Sequence, residues 1–254
     1  MRKIILLIFV SAAAAAVVNA AGWQVSGIAG ASYSETAVNN RWSGGETDAR
    51  SWSVNGEGEA EKDFGKTNWL NSLKLEYGKT SIASAPEQES ADTIYFNSIY
   101  KYKLSFYINP YVSFNADSQF TEFFDPAALT ESAGVGWNIL SGDKQNFKTR
   151  FGGALRQFMA AEEDTENETG AEWITDYSLK VSEYAKFVSE VKLFTSFDSS
   201  TALRWDSSLY IKLREYLSFQ AGYLLVNSSV PGLYFSDTVE TRLTLGLAFS
   251  YNLF

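Results

Sequence analysis

Residues 67–77 of the chain read TNWLNSLKLEY, and their pattern indicates the fold class. The apolar residues Trp69, Leu73, Leu75 and Tyr77 all occupy odd-numbered places, and polar residues such as Lys74 occupy the even-numbered places between them. Alternation with a period of two is typical of a β-strand whose two faces meet different surroundings. A helix would not keep its polar residues at strictly alternate places. The stretch therefore predicts a strand with one apolar face and one polar face.

The same alternation recurs along the whole chain. Most of the alternating segments exceed the five or six residues that are usual in soluble proteins. They match or exceed the 9–11 residues that a tilted strand needs to cross a bilayer. We therefore expect twelve strands, near residues 23–33, 51–63, 67–77, 92–104, 107–119, 132–140, 147–159, 173–182, 187–198, 202–213, 217–227 and 238–253.

The predicted connections alternate between long and short. Membrane-spanning barrels have long loops on the outer side and short turns on the periplasmic side. The fold class that this predicts is all-β: a transmembrane, antiparallel, up-and-down β-barrel of about twelve strands. The long connections are 34–50, 78–91, 120–131, 160–172 and 228–237, with a shorter one at 199–201, and the short turns are 64–66, 105–106, 141–146, 183–186 and 214–216.

A secreted soluble β-sandwich or a lipocalin-like barrel would also alternate, so we weighed this alternative. Two features favour the membrane barrel. Outer-membrane barrels carry aromatic girdles on their lipid-facing surface, and the chain ends on an aromatic residue, Phe254, where assembly of such barrels is recognised. The tryptophans on the apolar face are Trp23, Trp52, Trp69, Trp137, Trp173 and Trp205.

The N-terminus has the features of a secretory signal peptide. Arg2 and Lys3 precede an apolar segment, 4–18, which is followed by a small-residue cleavage site ending at Ala20. A membrane anchor is disfavoured because a spanning helix needs about 20 apolar residues. We expect residues 1–20 to be a signal peptide and residues 21–254 to form one barrel in the outer membrane of a Gram-negative bacterium.

The composition excludes several classes of function. The 254 residues contain no cysteine and no histidine, so there is no thiol nucleophile, disulfide, histidine-ligated metal or imidazole base. We therefore expect neither an enzyme nor a cofactor. The net charge is −9, and it becomes 19 − 30 = −11 when the two N-terminal cations are removed with the signal peptide. Nucleic-acid partners are disfavoured because their binding proteins are basic.

The polar faces of the strands are expected to line the lumen. Twelve strands tilted near 40° give a backbone radius of about 12 Å, so inward side chains leave a small channel or fill the interior. Two interpretations stay open: paired charges that close the lumen, or a lining that selects small solutes. The candidate lumen-lining residues are Glu57, Glu59, Glu61, Lys74, Lys101, Lys148, Arg150, Arg156, Lys180, Glu190, Arg204, Asp206 and Arg242.

The short turns predict which inward residues face each other. Across turn 64–66 we expect Glu57 opposite Lys74, and across turn 183–186 we expect Lys180 opposite Glu190. A closed lumen would have Tyr95, Tyr111 and Tyr210 at its centre. We also expect an acidic wall to face a basic wall across a constriction, formed by Glu57, Glu59 and Glu61 on one side and Lys148, Arg150 and Arg156 on the other.

Residues 160–172 are rich in glutamate and are predicted to form an acidic outer loop. Carboxylate oxygens can bind divalent cations. The segment lacks the Asp-x-Asp-x-Asp-Gly spacing of a calcium loop, so a solvated acidic loop is the favoured interpretation.

Residues 40–138 resemble a family of uncharacterised bacterial outer-membrane β-barrels, of the Bacteroidetes type, and are similar to the related salt-induced outer-membrane protein family. The resemblance implies a location in the outer membrane, and it implies no activity, because the family has none assigned. The residues that carry it are Asn40-Arg41-Trp42-Ser43-Gly44-Gly45-Glu46, then 65–73, Tyr77-Gly78-Lys79, Asp92 and Phe124-Asp125-Pro126-Ala127.

Together these observations predict a narrow passive pore for small polar or charged solutes. The alternative is a non-conducting structural or surface-interaction protein with a salt-bridged, closed lumen. The expected partners are outer-membrane lipid, lipopolysaccharide, the barrel-assembly machinery through the C-terminal strand and, for the pore, a small solute.

The first prediction concerns processing. Cleavage after Ala20 should leave Ala21 as the first residue of the exported chain, because Val18-Asn19-Ala20 has the small-x-small pattern that precedes a cleavage site. N-terminal sequencing of the protein from isolated outer membranes measures this directly. A chain that retains Arg2 and Lys3 would contradict it.

Overall fold

The computed structural model describes residues 22–36, 49–82, 85–104, 108–123, 125–160, 163–198, 200–215, 217–228 and 238–251. The predicted signal peptide, the motif 40–46 and Phe254 lie outside the described residues. No helix in the described part of the chain is long and apolar enough to cross a membrane.

Twelve strands form in the part of the chain that the structure describes, one for each alternating segment of the sequence. Each of them overlaps its predicted range, so the strand count is confirmed. The strands are β1 (Gln24–Thr36), β2 (Ala49–Asp63), β3 (Thr67–Ile82), β4 (Gln88–Tyr102), β5 (Ile108–Ser118), β6 (Ala127–Ser141), β7 (Gln145–Ala160), β8 (Glu163–Lys180), β9 (Ala185–Ser196), β10 (Thr201–Lys212), β11 (Leu217–Ser228) and β12 (Thr238–Tyr251).

Each strand pairs antiparallel with its neighbours in sequence, and β1 pairs with β12 to close the sheet. The closing pairs run from Gly27 opposite Tyr251 to Ala31 opposite Leu247. Where these residues pair, closure leaves no free sheet edge between the first and last strands. The predicted all-β, up-and-down barrel is therefore confirmed.

Residues 163–172 of the acidic segment lie in strand β8 and not in the predicted loop. β8 begins at Glu163, and Glu168 lies opposite Arg156 of β7. Backbone pairing continues beyond the apolar belt because a ladder of hydrogen bonds does not depend on side-chain polarity. Both faces of the strand are polar there, so the alternation that marks a strand in the sequence is lost.

The short turn between β2 and β3 is held by two donors at Asp63. Gly65 has φ of 82°, a backbone conformation that favours glycine, and its N–H donates to Asp63 Oδ1 at 2.7 Å. Lys103 Nζ lies 2.5 Å from Asp63 Oδ2. The Lys103 side chain, followed by the Gly65 amide, holds the pKa of the Asp63 carboxyl below its usual value. The turn therefore keeps a charged carboxylate at neutral pH.

The two faces of the barrel are inverted relative to a soluble protein. Large apolar side chains are exposed on the outside, such as Leu243 at 71% and Phe249 at 63%. Polar side chains are buried inside, such as Arg150 at 7% and Asn97 at 4%. An apolar exterior around a polar interior is the arrangement of a barrel that sits in a bilayer.

Three of the tryptophans that face outward satisfy their indole N–H groups within the barrel. A donor without a partner in hydrocarbon would cost several kcal/mol. Each of three indoles donates to a hydroxyl on a neighbouring strand, so each can face lipid without an unpaired donor. The pairs are Trp69 with Ser98 Oγ at 2.9 Å, Trp173 with Thr149 Oγ1 at 2.7 Å and Trp205 with Ser189 Oγ at 3.0 Å.

Two glycines allow a close approach of β6 and β7 on the inner wall. Gly134 lies opposite Gly152 in the register. A Cβ added at Gly152 would lie 2.5 Å from the Ala133 carbonyl oxygen and 2.7 Å from the Tyr111 hydroxyl. The space that glycine leaves is therefore filled by neighbouring backbone and by the Tyr111 side chain.

This close approach gives a prediction with a matched control. Gly152→Ala should destabilise the barrel by about 1–3 kcal/mol, because the added methyl group overpacks the inner wall. Gly153→Ala should be tolerated, since an added Cβ there meets nothing within 4 Å. Urea unfolding in detergent, followed by tryptophan fluorescence, measures both variants, and equal effects would contradict the assignment.

Candidate functional site: the lumen constriction

The Lys74 side chain crosses the lumen. It starts from β3, and its Nζ lies 3.5 Å from Glu190 Oε1 of β9 and 3.5 Å from Asp206 Oδ2 of β10. β3 and β9 are six places apart in a ring of twelve strands, so they stand on opposite walls. The two salt bridges therefore span the interior from wall to wall.

The reach of these side chains shows that the barrel is flattened at this level. A lysine and a glutamate extend together about 11 Å from their Cα atoms, so the two walls lie within about 15 Å of each other. A circular barrel of twelve strands would place them about 24 Å apart. Flattening is what lets Lys74 meet Glu190.

A second contact crosses the lumen beside the first. Lys192 Nζ of β9 donates to the Tyr95 hydroxyl of β4 at 2.5 Å, and this hydroxyl donates to Asn115 Oδ1 at 2.7 Å. Lys192 Nζ also lies 3.9 Å from the centre of the Tyr95 ring and 3.1 Å from Glu190 Oε1. Glu190 therefore joins the two contacts, because it binds both lysines. We call these groups, Lys74, Lys192, Glu190, Asp206 and Tyr95, the constriction.

The wall opposite Lys74 carries a row of carboxylates. Asp176, Glu190 and Asp206 lie directly opposite one another on β8, β9 and β10. Like charges at directly opposite positions destabilise a sheet unless counter-charges neutralise them. Lys74 and Lys192 bring such charges to the row. The constriction is thus a consequence of three inward acids that share one register.

Two polar cavities meet at Lys74. The larger, of about 240 Å³, extends to Asn146 and Tyr210, which lie towards the strand ends that the short turns join. The smaller, of about 70 Å³, extends to Glu76 and Thr93, which lie towards the opposite ends. The two cavities share Glu57, Lys74, Asp206 and Ser208.

The register confirms one predicted pair and corrects the other. Glu57 lies opposite Lys74, as predicted. Lys180 lies opposite Lys186, while Glu190 lies opposite Asp176, so the predicted pair of Lys180 with Glu190 is wrong. The chain reverses earlier than expected, because the Val181 N–H already donates to the Ala185 carbonyl at 2.9 Å.

The basic candidates of β7 have different surroundings, and the predicted facing of an acidic and a basic wall stays a prediction. Lys148 lies directly opposite Asp176, and the Arg150 guanidinium carbon lies 5.8 Å from the centre of the Tyr111 ring. Arg156 lies towards the other end of β7, and its guanidinium carbon is 4.9 Å and 5.0 Å from the ring centres of Phe158 and Phe194. The remaining candidates are placed as follows: Glu61 accepts from Asn68 at 2.7 Å, Lys101 lies opposite Asn68 and Tyr111, Arg204 lies opposite Lys192, and Arg242 lies opposite Leu224.

Sequence reasoning left several central residues out of the candidate set. Lys192 and Asp176 occupy inward positions that the alternation identifies. Glu172 fell in the predicted loop, although it accepts from Ser132 at 2.8 Å on the inner wall. Tyr95, for which the sequence predicts a place at the centre of a closed lumen but no partner, is 8% exposed and reaches the constriction from β4. No local signal predicts that Tyr95 and Lys192 meet, since they come from opposite sides of the lumen.

The shared hydroxyl of Tyr95 gives a testable contribution to stability. Tyr95→Phe should lower the free energy of unfolding by about 1–3 kcal/mol, because a charged donor and the Asn115 oxygen both lose a buried partner. Tyr100→Phe on the outer face of the same strand, where Tyr100 is 45% exposed, is the matched control. Urea unfolding in detergent measures both variants, and an equal loss in the control would contradict the role of Tyr95.

Several solved barrels have a related shape at very low sequence identity. The NanC porin is 10% identical, covers 88% of this chain and 98% of its own, and has a TM-score of 0.47. An outer-membrane channel from Pseudomonas putida F1 is 9% identical, with coverage of 89% and 95% and a TM-score of 0.46. The translocator domain of the autotransporter NalP from Neisseria meningitidis is 12% identical, with coverage of 98% and 96% and a TM-score of 0.41. The fold assignment rests on the strand order and the two faces of this chain, and not on these likenesses.

No curated protein is significantly similar in sequence. A sequence model of a family described as "Protein of unknown function, DUF481" matches residues 11–251. The resemblance to uncharacterised outer-membrane barrels is thus confirmed at the level of this family, and the Bacteroidetes-type and salt-induced relations stay predictions. The closed barrel, its apolar exterior and its polar lumen define an outer-membrane β-barrel, and the chain belongs to the DUF481 family.

Proposed function

We propose that the protein is a narrow passive channel for small polar or charged solutes, whose passage is set by the constriction. The observation that carries the proposal is the pair of polar cavities that meet at Lys74. Where the two cavities meet, the barrier to the passage of a solute consists of side chains. A passive channel of this kind needs no catalytic group, in keeping with the absence of histidine and cysteine.

Side-chain motion is the physical basis for conduction. Lys74 Nζ is held by two contacts of 3.5 Å, which are longer than a tight charge-assisted hydrogen bond. Lys74, Glu190 and Asp206 keep between 21% and 26% of their side-chain surface exposed. Partly solvated side chains change rotamer quickly compared with backbone motions. Water and small ions can therefore pass when the Lys74 ammonium swings away from the opposite wall.

A non-conducting barrel is the second candidate, and specific contacts favour it. Tyr95, Tyr111 and Tyr210 are only 8%, 4% and 1% exposed, and Tyr95 takes part in the cross-lumen contacts. In that case the constriction would act as a permanent brace that holds the opposite walls together. The outer face and the loops would then carry the function through contacts with surface partners.

Conductance across a planar bilayer separates the two candidates. Lys74→Ala should increase the single-channel conductance several-fold, because it removes the only side chain that bridges β3 to β9 and β10 in the described part of the lumen. Lys144→Ala is the matched control, since Lys144 is exposed in the turn between β6 and β7. Swelling of liposomes in a series of small solutes gives the size limit.

The outcomes are distinct. A measurable current through the wild type, with a higher conductance in Lys74→Ala and an unchanged one in Lys144→Ala, supports the channel. A wild type and a Lys74→Ala variant that are both folded and both silent would contradict the channel and favour the closed barrel.

The expected membrane partners belong to the same proposal. The apolar exterior supports contact with outer-membrane lipid, and lipopolysaccharide is the expected lipid around the extracellular half of the barrel. The barrel-assembly machinery is expected to recognise the C-terminal strand.

A further inference from the structure

We infer that the barrel has a lateral portal between β1 and β12, which opens the outer part of the lumen to the outer leaflet of the membrane and binds a single-chain amphiphile. The portal is the gap between residues 32–36 of β1 and 242–246 of β12. An amphiphile enters it from the membrane, so this site goes beyond the proposed channel and does not depend on it.

The seam that closes the barrel is paired over only part of its length. β1 pairs with β2 along its whole length, whereas its pairing with β12 ends at Ala31 opposite Leu247. β12 continues beyond this point and pairs with β11 as far as Thr238. Within the described strands, the outer half of β12 therefore pairs on one side only.

The paired part of the seam is sealed towards the lumen. Ala248 of β12 is fully buried there. A Cβ added at Gly30 of β1 would collide with the Asn55 side chain of β2 and would lie 3.2 Å from Gln220 Oε1 of β11. Side chains from the strands on both sides thus cover the seam at this level.

The wall opens beyond the paired part. At Gly246 the two strands still touch, since a Cβ added there would lie 2.7 Å from the Ala31 carbonyl oxygen. The exposed fraction of the outward leucines of β12 then rises, from 48% at Leu247 and 54% at Leu245 to 71% at Leu243. An adjacent strand would cover these side chains, so the rise indicates that β1 and β12 diverge towards Leu243.

The opening begins at the depth of the outer leaflet. Aromatic girdles mark the two interfaces of a membrane barrel, and here Trp69 lies beside a short turn while Trp52 lies beside a long loop. Lys62 is opposite Trp69, and Trp52 is opposite Tyr33. The 62 − 52 = 10 residues between them are what a tilted strand needs to cross a bilayer. Ala31, where the pairing ends, is two residues inside the outer girdle.

The portal joins surroundings of opposite polarity. On the lumen side, the smaller cavity is lined by Thr244 of β12 and Asn55 of β2, which stand on either side of β1. Glu76 and Arg204 line the same cavity, so it offers both charges to a head group. On the membrane side lies the exposed Leu243. A molecule that fills the portal therefore needs a polar head for the cavity and an apolar chain for the lipid side.

The one-sided backbone of β12 also requires a polar neighbour. Backbone N–H and C=O groups without a protein partner are not tolerated against hydrocarbon, but they are tolerated where they line a water-filled cavity. The portal sets this edge of β12 beside the smaller cavity, where water or a head group satisfies it. Because the two strands still touch at Gly246, the gap is narrow and takes one apolar chain rather than two.

Disulfide formation between introduced cysteines tests the opening, and the background is clean because the chain contains no cysteine. If the register continued beyond Leu247, Ser34 would lie opposite Thr244. In vesicles, Ser34→Cys with Thr244→Cys should form a disulfide at least ten-fold more slowly than Ala29→Cys with Phe249→Cys, a pair that the register joins. Copper phenanthroline is the oxidant, and gel mobility before and after heating reports both folding and cross-linking.

Protection of Thr244→Cys from a water-soluble maleimide tests the ligand. The probe is dodecylphosphocholine below its micellar concentration, because it joins one apolar chain to a head group with both charges. Phosphocholine and dodecanol are the controls for the head and the chain alone. The probe should slow the labelling of Thr244→Cys at least five-fold, and neither control compound should. Asn146→Cys, in the larger cavity, should be labelled at an unchanged rate.

The outcomes separate the portal from the proposed channel. Equal rates of disulfide formation would overturn the portal, because they would show a paired wall at Ser34. Labelling of Thr244→Cys that is absent from the start, unchanged by the probe or slowed equally by a control compound would overturn the binding of an amphiphile. Neither measurement depends on a current, so the channel stands or falls separately by its conductance.

Discussion

Backbone hydrogen bonding inside hydrocarbon is the constraint on which the rest of the structure depends. Every N–H and C=O group in the bilayer needs a partner within the protein, because lipid offers none. The chain meets this demand by pairing twelve strands in sequence order and closing β1 onto β12. Closure fixes which face of each strand meets lipid and which meets the lumen. The period of two in the sequence follows from that geometry.

The same constraint concentrates charge inside the barrel. Polar residues excluded from the lipid face are brought together in a narrow interior, where unpaired charges are costly. The register then sets Asp176, Glu190 and Asp206 side by side on three strands. Lys74 and Lys192 neutralise this row from their own positions on the inner wall, and each also reaches across the lumen. The constriction is thus a requirement of stability, and in the proposed channel it also sets which solutes pass.

Local pattern predicted the strands and the lumen side of each residue, because alternation is a property of neighbouring positions. It also predicted Glu57 opposite Lys74, since the short turn after Asp63 leaves little freedom of register. It failed for Lys180, where a turn that closes two residues earlier moves every later pair. It failed again at Glu168 and Glu172, where both faces of β8 are polar and a strand cannot be told from a loop.

The strand count, the barrel class and the inward position of the charged residues follow from the amino-acid pattern. Which charges meet across the lumen depends on tertiary packing. The contact of Lys74 with Glu190, and that of Lys192 with Tyr95, join walls that are far apart in the chain. Such contacts depend on strand stagger and on how far the barrel is flattened. A period of two carries no information about either quantity, because every strand would alternate in the same way in a wider barrel.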